Sequence, residues 1–196
     1  MASPRTPGGN WRLSARLLHW VIAALVLAQI GLGLSIGMLD MYDPADVAWY
    51  KAWVPLHKSL GLTILLLMML RLGVRARGPV PALPAATPRW QARAARVTHF
   101  ALYGLLILQP VLGYVQSAAY GATTRYFDLF VVPNVLPVAW QRPQTDVLRL
   151  AAQNAHKVIA VLIVVLVLLH LLGALKHHFV DRDDVLRRML TGAARQ

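Results

Sequence analysis

The sequence has no cysteine and no glutamate, and it is poor in charge of either sign. Without cysteine there are no disulfides, no cysteine-ligated iron–sulfur cluster and no covalent c-type haem attachment. Without glutamate the acidic residues are eight aspartates, all of them outside the long apolar runs. No carboxylate relay crosses those runs, which argues against a proton pump or an ion-coupled transporter. Charged residues make up 14% of the 196, where a soluble domain carries about a quarter. Hydrophobic residues make up 57% and mean hydropathy is +0.51, the composition of an integral membrane protein. The opening stretch, MASPRTPGGNWRLSAR, lacks the apolar core and small-residue cleavage site of a signal peptide, so the first apolar run is expected to stay with the chain.

Four apolar runs are present, at residues 17–38, 56–72, 97–115 and 155–176. Each is long enough to cross a bilayer as a helix. The last, within AHKVIAVLIVVLVLLHLLGALKHH, carries no charge between Lys157 and Lys176. Pro110, two-thirds through the third run, is expected to bend its helix. Four such helices predict an all-α integral membrane protein: a four-helix transmembrane bundle, up-down-up-down, forming one domain over 1–196. Of the 20 Lys and Arg, 14 lie in the N-terminal segment, in Arg71–Arg96 and in the tail from Lys176. The positive-inside rule makes those segments, and hence both termini, cytoplasmic. The net charge of +12 is therefore a topology signal and not a nucleic-acid footprint. Trp11, Trp20, Trp49, Trp53, Trp90 and Trp140 sit at or beyond the run ends, as interfacial belts do.

The outer connection, residues 116–153, is the one sizeable piece outside the membrane. Its apolar part, YFDLFVVPNVLPVAW, is interrupted by Pro133 and Pro137 and is expected to lie on the membrane surface. Asp146–Gln153 reads as a short helix leading into the fourth run, and Asp181–Leu190 as a short amphipathic helix on the cytoplasmic face.

Histidines stand out against this background, because an ionisable group inside a span is by default a candidate functional group. His156 and His170 are fourteen residues apart, so they share a helical face and stand roughly 21 Å apart along the axis. His57 and His156 lie about one turn inside the outer boundary. His19 lies about one turn inside the cytoplasmic boundary, and His170 roughly 9 Å inside it. Depth thus sorts them into an outer pair, His57 with His156, and an inner pair, His19 with His170. Two imidazoles on facing helices are what bis-histidine ligation of b-type haem requires. Small residues beside them leave room for a flat macrocycle: Ala23, Gly33 and Gly37 on the His19 face, Gly61 below His57, and Ala160 below His156. The second and fourth runs also echo one another, each entering from outside with His-Lys (His57-Lys58 and His156-Lys157).

Plainer readings exist for several of these residues. A lone intramembrane histidine often serves only as a packing hydrogen-bonder, but four paired at two depths favour haem. His99 has no partner at its level and is either structural or the lining of an inner site. His177 and His178 fit solvation or a dipole contact at a helix C-terminus. Lys58 and Lys157 either snorkel or meet haem propionates and an anionic substrate. Arg125, Arg142 and Arg149 share the outer face with Asp40, Asp43, Asp46, Asp128 and Asp146, so its sign is open.

The segments RLLHW, PLHKSLGLTILLLMMLRL, THFALYGLLILQPVLGY and AHKVIAVLIVVLVLLHLLGALKHH resemble the bacterial cytochrome b561 family over nearly the whole chain. The wider group includes the di-haem cytochrome b subunits of formate dehydrogenase and nickel–iron hydrogenase. The resemblance implies two haem b groups, with His19 and His170 as axial ligands of the inner iron and His57 and His156 of the outer one. The four-span size is similar to that of a superoxide oxidase, which implies oxidation of superoxide at the outer face and reduction of ubiquinone from the bacterial inner membrane. The alternative it leaves open is a membrane anchor passing electrons between a partner dehydrogenase or hydrogenase and the quinone pool. A quinone needs polar groups beside the inner haem. Arg71, His99 and His177 stand at that level and are the candidates. Interfacial anchoring is the favoured role for Arg71, and His177 is the better quinone residue because it can both donate and deliver a proton.

Overall fold

The computed structural model describes residues 5–6, 10–78 and 80–192. Residues 1–4 and 7–9 of the stretch read as lacking a signal sequence lie outside the described residues. Four long helices dominate: α1 (Leu13–Gly37), α2 (Pro44–Arg77), α3 (Arg89–Ala119) and α4 (Val147–Phe179). Each is long and apolar enough to cross a membrane. They run longer than the apolar runs because the backbone stays helical past the lipid-facing part into its polar ends. α2 starts at Pro44 because the Asp43 side chain accepts from the Ala45 N–H at 2.8 Å and proline at the first position needs no donor. α3 ends where Gly121 takes φ +78°, a conformation glycine adopts without a Cβ penalty.

α1 packs on α2, α2 on α3 and α3 on α4. The buried core is Ile22 and Val26 from α1, Ile64 and Met68 from α2, and Ile163 from α4. Ile163 is seven residues from both His156 and His170, so this apolar plug sits midway between the two histidine levels. Outward-facing Leu27, Leu66, Val161 and Leu172 are exposed, as lipid-facing side chains are. Backbone polar groups are satisfied within the helices, which is what a hydrocarbon environment demands.

The basic segments meet at one end, called inner here. A short parallel bridge joins β1 (Arg5–Thr6) to β2 (Val80–Pro81), tying the N-terminal segment to the α2–α3 connection. The tail forms α5 (Val185–Leu190). It docks on the start of α1, where Trp20 Nε1 donates to the Met189 carbonyl at 3.1 Å and Arg16 donates to the carbonyls of Met189 and Leu190.

At the outer end the apolar loop has internal structure that its two prolines do not reveal. Its Tyr126–Val132 part turns back as an antiparallel hairpin, β3 (Thr124–Tyr126) with β4 (Phe130–Val132), in register Arg125 to Val131. Backbone groups beside apolar surfaces must find partners, and the hairpin supplies them; Pro133 follows its second strand. Ser59 of α2 pins it by donating to the Arg125 carbonyl and accepting from the Phe127 N–H at 2.9 Å. The stretch after Asp146 is helical, as expected, and runs without a break into the fourth span as the first turns of α4, since nothing between Val147 and Ala155 breaks a helix.

Candidate functional site

Two histidine pairs stand at the two ends of the apolar plug. At the outer end the ring centres of His57 (α2) and His156 (α4) are 6.3 Å apart with planes at 76°. At the inner end those of His19 (α1) and His170 (α4) are 6.0 Å apart at 79°. An imidazole nitrogen binds a first-row metal at about 2 Å and lies about 1 Å from its ring centre, so two imidazoles across one ion have centres about 6 Å apart. Both pairs meet that requirement. His99 of α3, expected to lack a partner, has one: its ring centre is 5.0 Å from that of His170, too short for an ion between them.

The outer pair is held from the backbone. Gln29 Nε2 of α1 donates to the His57 carbonyl at 2.7 Å, and Gln109 Nε2 of α3 donates to the His156 carbonyl at 3.1 Å. His156 Nδ1 lies 3.0 Å from the Gln109 carbonyl. A carbonyl only accepts, so Nδ1 carries the proton and Nε2 is the free lone pair, the arrangement found in metal-bound histidines. A Cβ on Gly113 would stand 3.1 Å from His156 Cε1, so glycine there lets the imidazole lie against the α3 backbone. Gly33, expected on the His19 face, stands at the outer level, where its Cβ would be 3.7 Å from His57 Cε1. Fourteen residues from His19 keep the same helical face but change the depth by roughly 21 Å. Gly61 makes room for Gln29, whose Nε2 a Cβ would meet at 3.3 Å.

Charge at the outer end is sorted by pairing. Arg125 bonds Asp128 at 3.0 Å, and Arg142 and Arg149 both bond Asp146 at 3.2 and 2.8 Å. The Arg149 hydrogen bond holds the Asp146 carboxyl below the usual carboxylate range. Asp40 and Asp43 accept from the N–H groups of Tyr42 and Ala45, and Asp46 from that of Asp40. Lys58 and Lys157 enter no salt bridge among the described residues. Half-buried Lys58 donates instead to Ser117 Oγ at 2.7 Å, and Ser117 contacts Thr124 Oγ1 at 3.3 Å. Its positive charge is thus left uncancelled beside the outer pair.

At the inner end Arg71, expected to serve as an interfacial anchor, makes contacts within the bundle. Its guanidinium turns inward, donating to the Ala15 carbonyl at 2.7 Å and contacting His19 Nδ1 at 3.3 Å, with its Cζ 5.9 Å from the centre of the Tyr103 ring. His99 and Arg71 therefore both flank the inner pair. His177 is turned to the tail: its Nδ1 is 2.6 Å from an Asp183 oxygen and 3.5 Å from Asp181, which also accepts from Lys176. Gln29, Gln109, Ser117 and Tyr103 escape sequence reading as site residues. The available signal was two glutamines inside otherwise apolar runs.

The family model for prokaryotic cytochrome b561 matches residues 10–192. This chain belongs to the prokaryotic cytochrome b561 family. Cytochrome b561 homolog 2 of Escherichia coli strain K12 is 37% identical over 97% of this chain and 95% of its own length. A protein of Yersinia pestis named probable superoxide oxidase CybB is 29% identical over 88% of this chain and 91% of its own. Cytochrome b562 of Cereibacter sphaeroides is 30% identical over 88% and 90%. Membership in the cytochrome b561 family implies b-type haem binding and membrane electron transfer by a multi-pass bacterial membrane protein. The residues present fit such a group. Two imidazole pairs have the separation that bis-histidine ligation needs, and His156, its Nδ1 held by the Gln109 carbonyl, keeps Nε2 free for a metal.

Proposed function

We propose that this cytochrome b561 carries two haem b groups, one on His57 and His156 and one on His19 and His170. In this reading it oxidises superoxide at the outer face of the bacterial inner membrane and reduces ubiquinone at the inner end. The observation that carries the reading is the pair of 6.0 and 6.3 Å imidazole separations at opposite ends of one apolar plug. Haem supplies a one-electron couple tuned by its axial ligands and their hydrogen bonds. Everything else falls to the chain. The four histidines set two levels roughly 21 Å apart along α4, close enough edge to edge for electrons to cross without a moving part. Lys58, uncancelled by a carboxylate among the described residues, draws an anion toward the outer level, and charge steering raises association rates.

Two superoxide ions each lose one electron and leave as dioxygen. The two electrons, with two protons taken from the inner side, convert quinone to quinol. His177 is the proton donor in this scheme: with its Nδ1 engaged by Asp183, its cationic form would give up the Nε2 proton to the quinone, while Arg71 and His99 flank the inner level. The likeness to a protein named probable superoxide oxidase supports the choice of donor.

The test mixes the purified chain rapidly with a pulse of superoxide in the presence of ubiquinone. Both haems should reduce in sequence and quinol should follow. His57→Ala should stop quinol formation from outside. Unimpaired turnover in that variant, or activity found only with a co-purifying dehydrogenase subunit, overturns the proposal.

A further inference from the structure

The two glutamines that bond the outer histidines belong to one repeated device. On α1 the stretch is Gln29-Ile-Gly-Leu-Gly33, and on α3 it is Gln109-Pro-Val-Leu-Gly113. Each is Gln-x3-Gly, so the glutamine and glycine lie one turn apart on one helical face. Each faces a His-Lys pair on the next long helix, His57-Lys58 on α2 and His156-Lys157 on α4. In both copies the glutamine amide donates to the histidine carbonyl, at 2.7 and 3.1 Å. In both, the glycine is the residue that the imidazole Cε1 approaches, at 3.7 and 3.1 Å from where a Cβ would be. The residue one turn after the histidine is small in both, Gly61 and Ala160, and at Gly61 the space is filled by Gln29.

Packing alone does not account for this. A helical carbonyl already accepts from the N–H four residues on, so the glutamine occupies its second lone pair. In doing so each glutamine leaves its own Oε1 buried and unpartnered. An unsatisfied buried acceptor destabilises a fold, and leucine at either position would avoid that cost. The copies differ in one respect. The His156 ring has a second hold through Nδ1 and the Gln109 carbonyl at 3.0 Å, whereas His57 Nδ1 has no partner. Ligating histidines ordinarily donate that second N–H, which fixes ring orientation. His57 lacks this restraint and depends on the main-chain hold from Gln29.

We propose that Gln29 and Gln109 are positioning residues for the outer imidazole pair, two copies of one Gln-x3-Gly cradle, with Gln29 carrying the larger share. The inference rests on the reading that His57 and His156 ligate the outer haem.

The experiment uses purified, haem-loaded full-length chains. The outer haem's signal is defined as the low-spin electron paramagnetic resonance feature lost in His57→Ala. Gln29→Leu should retain two haems by pyridine haemochrome and move that feature. It should also shift the outer midpoint potential by about tenfold in the reduction equilibrium, about 59 mV for one electron, with the inner haem unchanged. Gln109→Leu should move the same signal less. An unmoved outer signal in Gln29→Leu, or equal shifts of both haems, overturns the proposal.

Should Gln29→Leu fail to fold, Gly113→Ala and Gly33→Ala decide. The first puts a methyl 3.1 Å from His156 Cε1 and should move the outer signal; the second makes an ordinary 3.7 Å contact and should not. An unmoved signal in Gly113→Ala overturns the cradle. If His57→Ala keeps both haems, the ligand assignment itself is wrong. If it loses one while Gln29→Leu is unchanged, only the positioning role fails.

Discussion

Arg71 contacts Nδ1 of His19 at 3.3 Å and donates to the Ala15 carbonyl at 2.7 Å. A guanidinium can only donate, so Nδ1 accepts and the imidazole proton sits on Nε2 in this arrangement. Ligation of iron through Nε2 requires the opposite tautomer, so His19 must turn from Arg71 to serve as a ligand. Were His19 to hold an inner haem, the Arg71 cation would stand beside it whichever way the ring faced. A unit charge about 10 Å away, at an effective dielectric of about 20, favours the reduced form by about 1–2 kcal/mol. Arg71→Leu should lower the inner midpoint potential by that order and leave the outer one in place. Potentiometric titration of the two haems checks this, and an unchanged inner potential counts against the contact.

Ligand identity is open to a count. His57→Ala and His156→Ala should each remove the outer haem and keep most of the inner one, and His19→Ala and His170→Ala should do the reverse. His99→Ala should keep both haems, because its 5.0 Å distance from His170 leaves no room for an ion, but should perturb the inner spectrum. Haem content by pyridine haemochrome decides. Two low-spin haems in His19→Ala together with one in His99→Ala would reverse the inner assignment.

Lys58 should govern encounter with an anion more than chemistry. Its partner is the neutral Ser117 hydroxyl at 2.7 Å, so its charge acts on the outer site uncancelled. Lys58→Met should lower the second-order rate with superoxide on the order of tenfold and flatten its dependence on ionic strength. Arg125→Met, which removes a cation already paired with Asp128, should do neither. Stopped-flow rates across a salt series separate the two.

His177→Ala should raise the quinone KM or lower kcat while both haem spectra stay intact. Asp183→Asn should give a milder version of the same effect, since it weakens the 2.6 Å contact without removing the imidazole. Wild-type quinone kinetics in His177→Ala, or a quinone analogue found beside His57 and His156, would move the site to the outer end.

The sequence by itself determined the membrane class, the four spans and the depths of the histidines. Hydropathy reads the solvent directly, and a helix converts residue spacing into angle and rise without reference to neighbours. That is why His156 and His170 are legible as two levels on one face, and why the basic segments mark one end. Tertiary structure decided what depends on how separate helices are rotated against one another. Spacing cannot show that His99 stands against His170, that Arg71 turns inward to His19 and Tyr103, or that His177 is drawn to Asp183 by a tail folding back. Nor can it show that Gly33 serves His57 and not His19, because face and depth on α1 leave the neighbour at that depth unspecified. Gln29 and Gln109 bond main-chain carbonyls, which every residue carries and no sequence pattern distinguishes. Only the packed bundle selects which two carbonyls they reach.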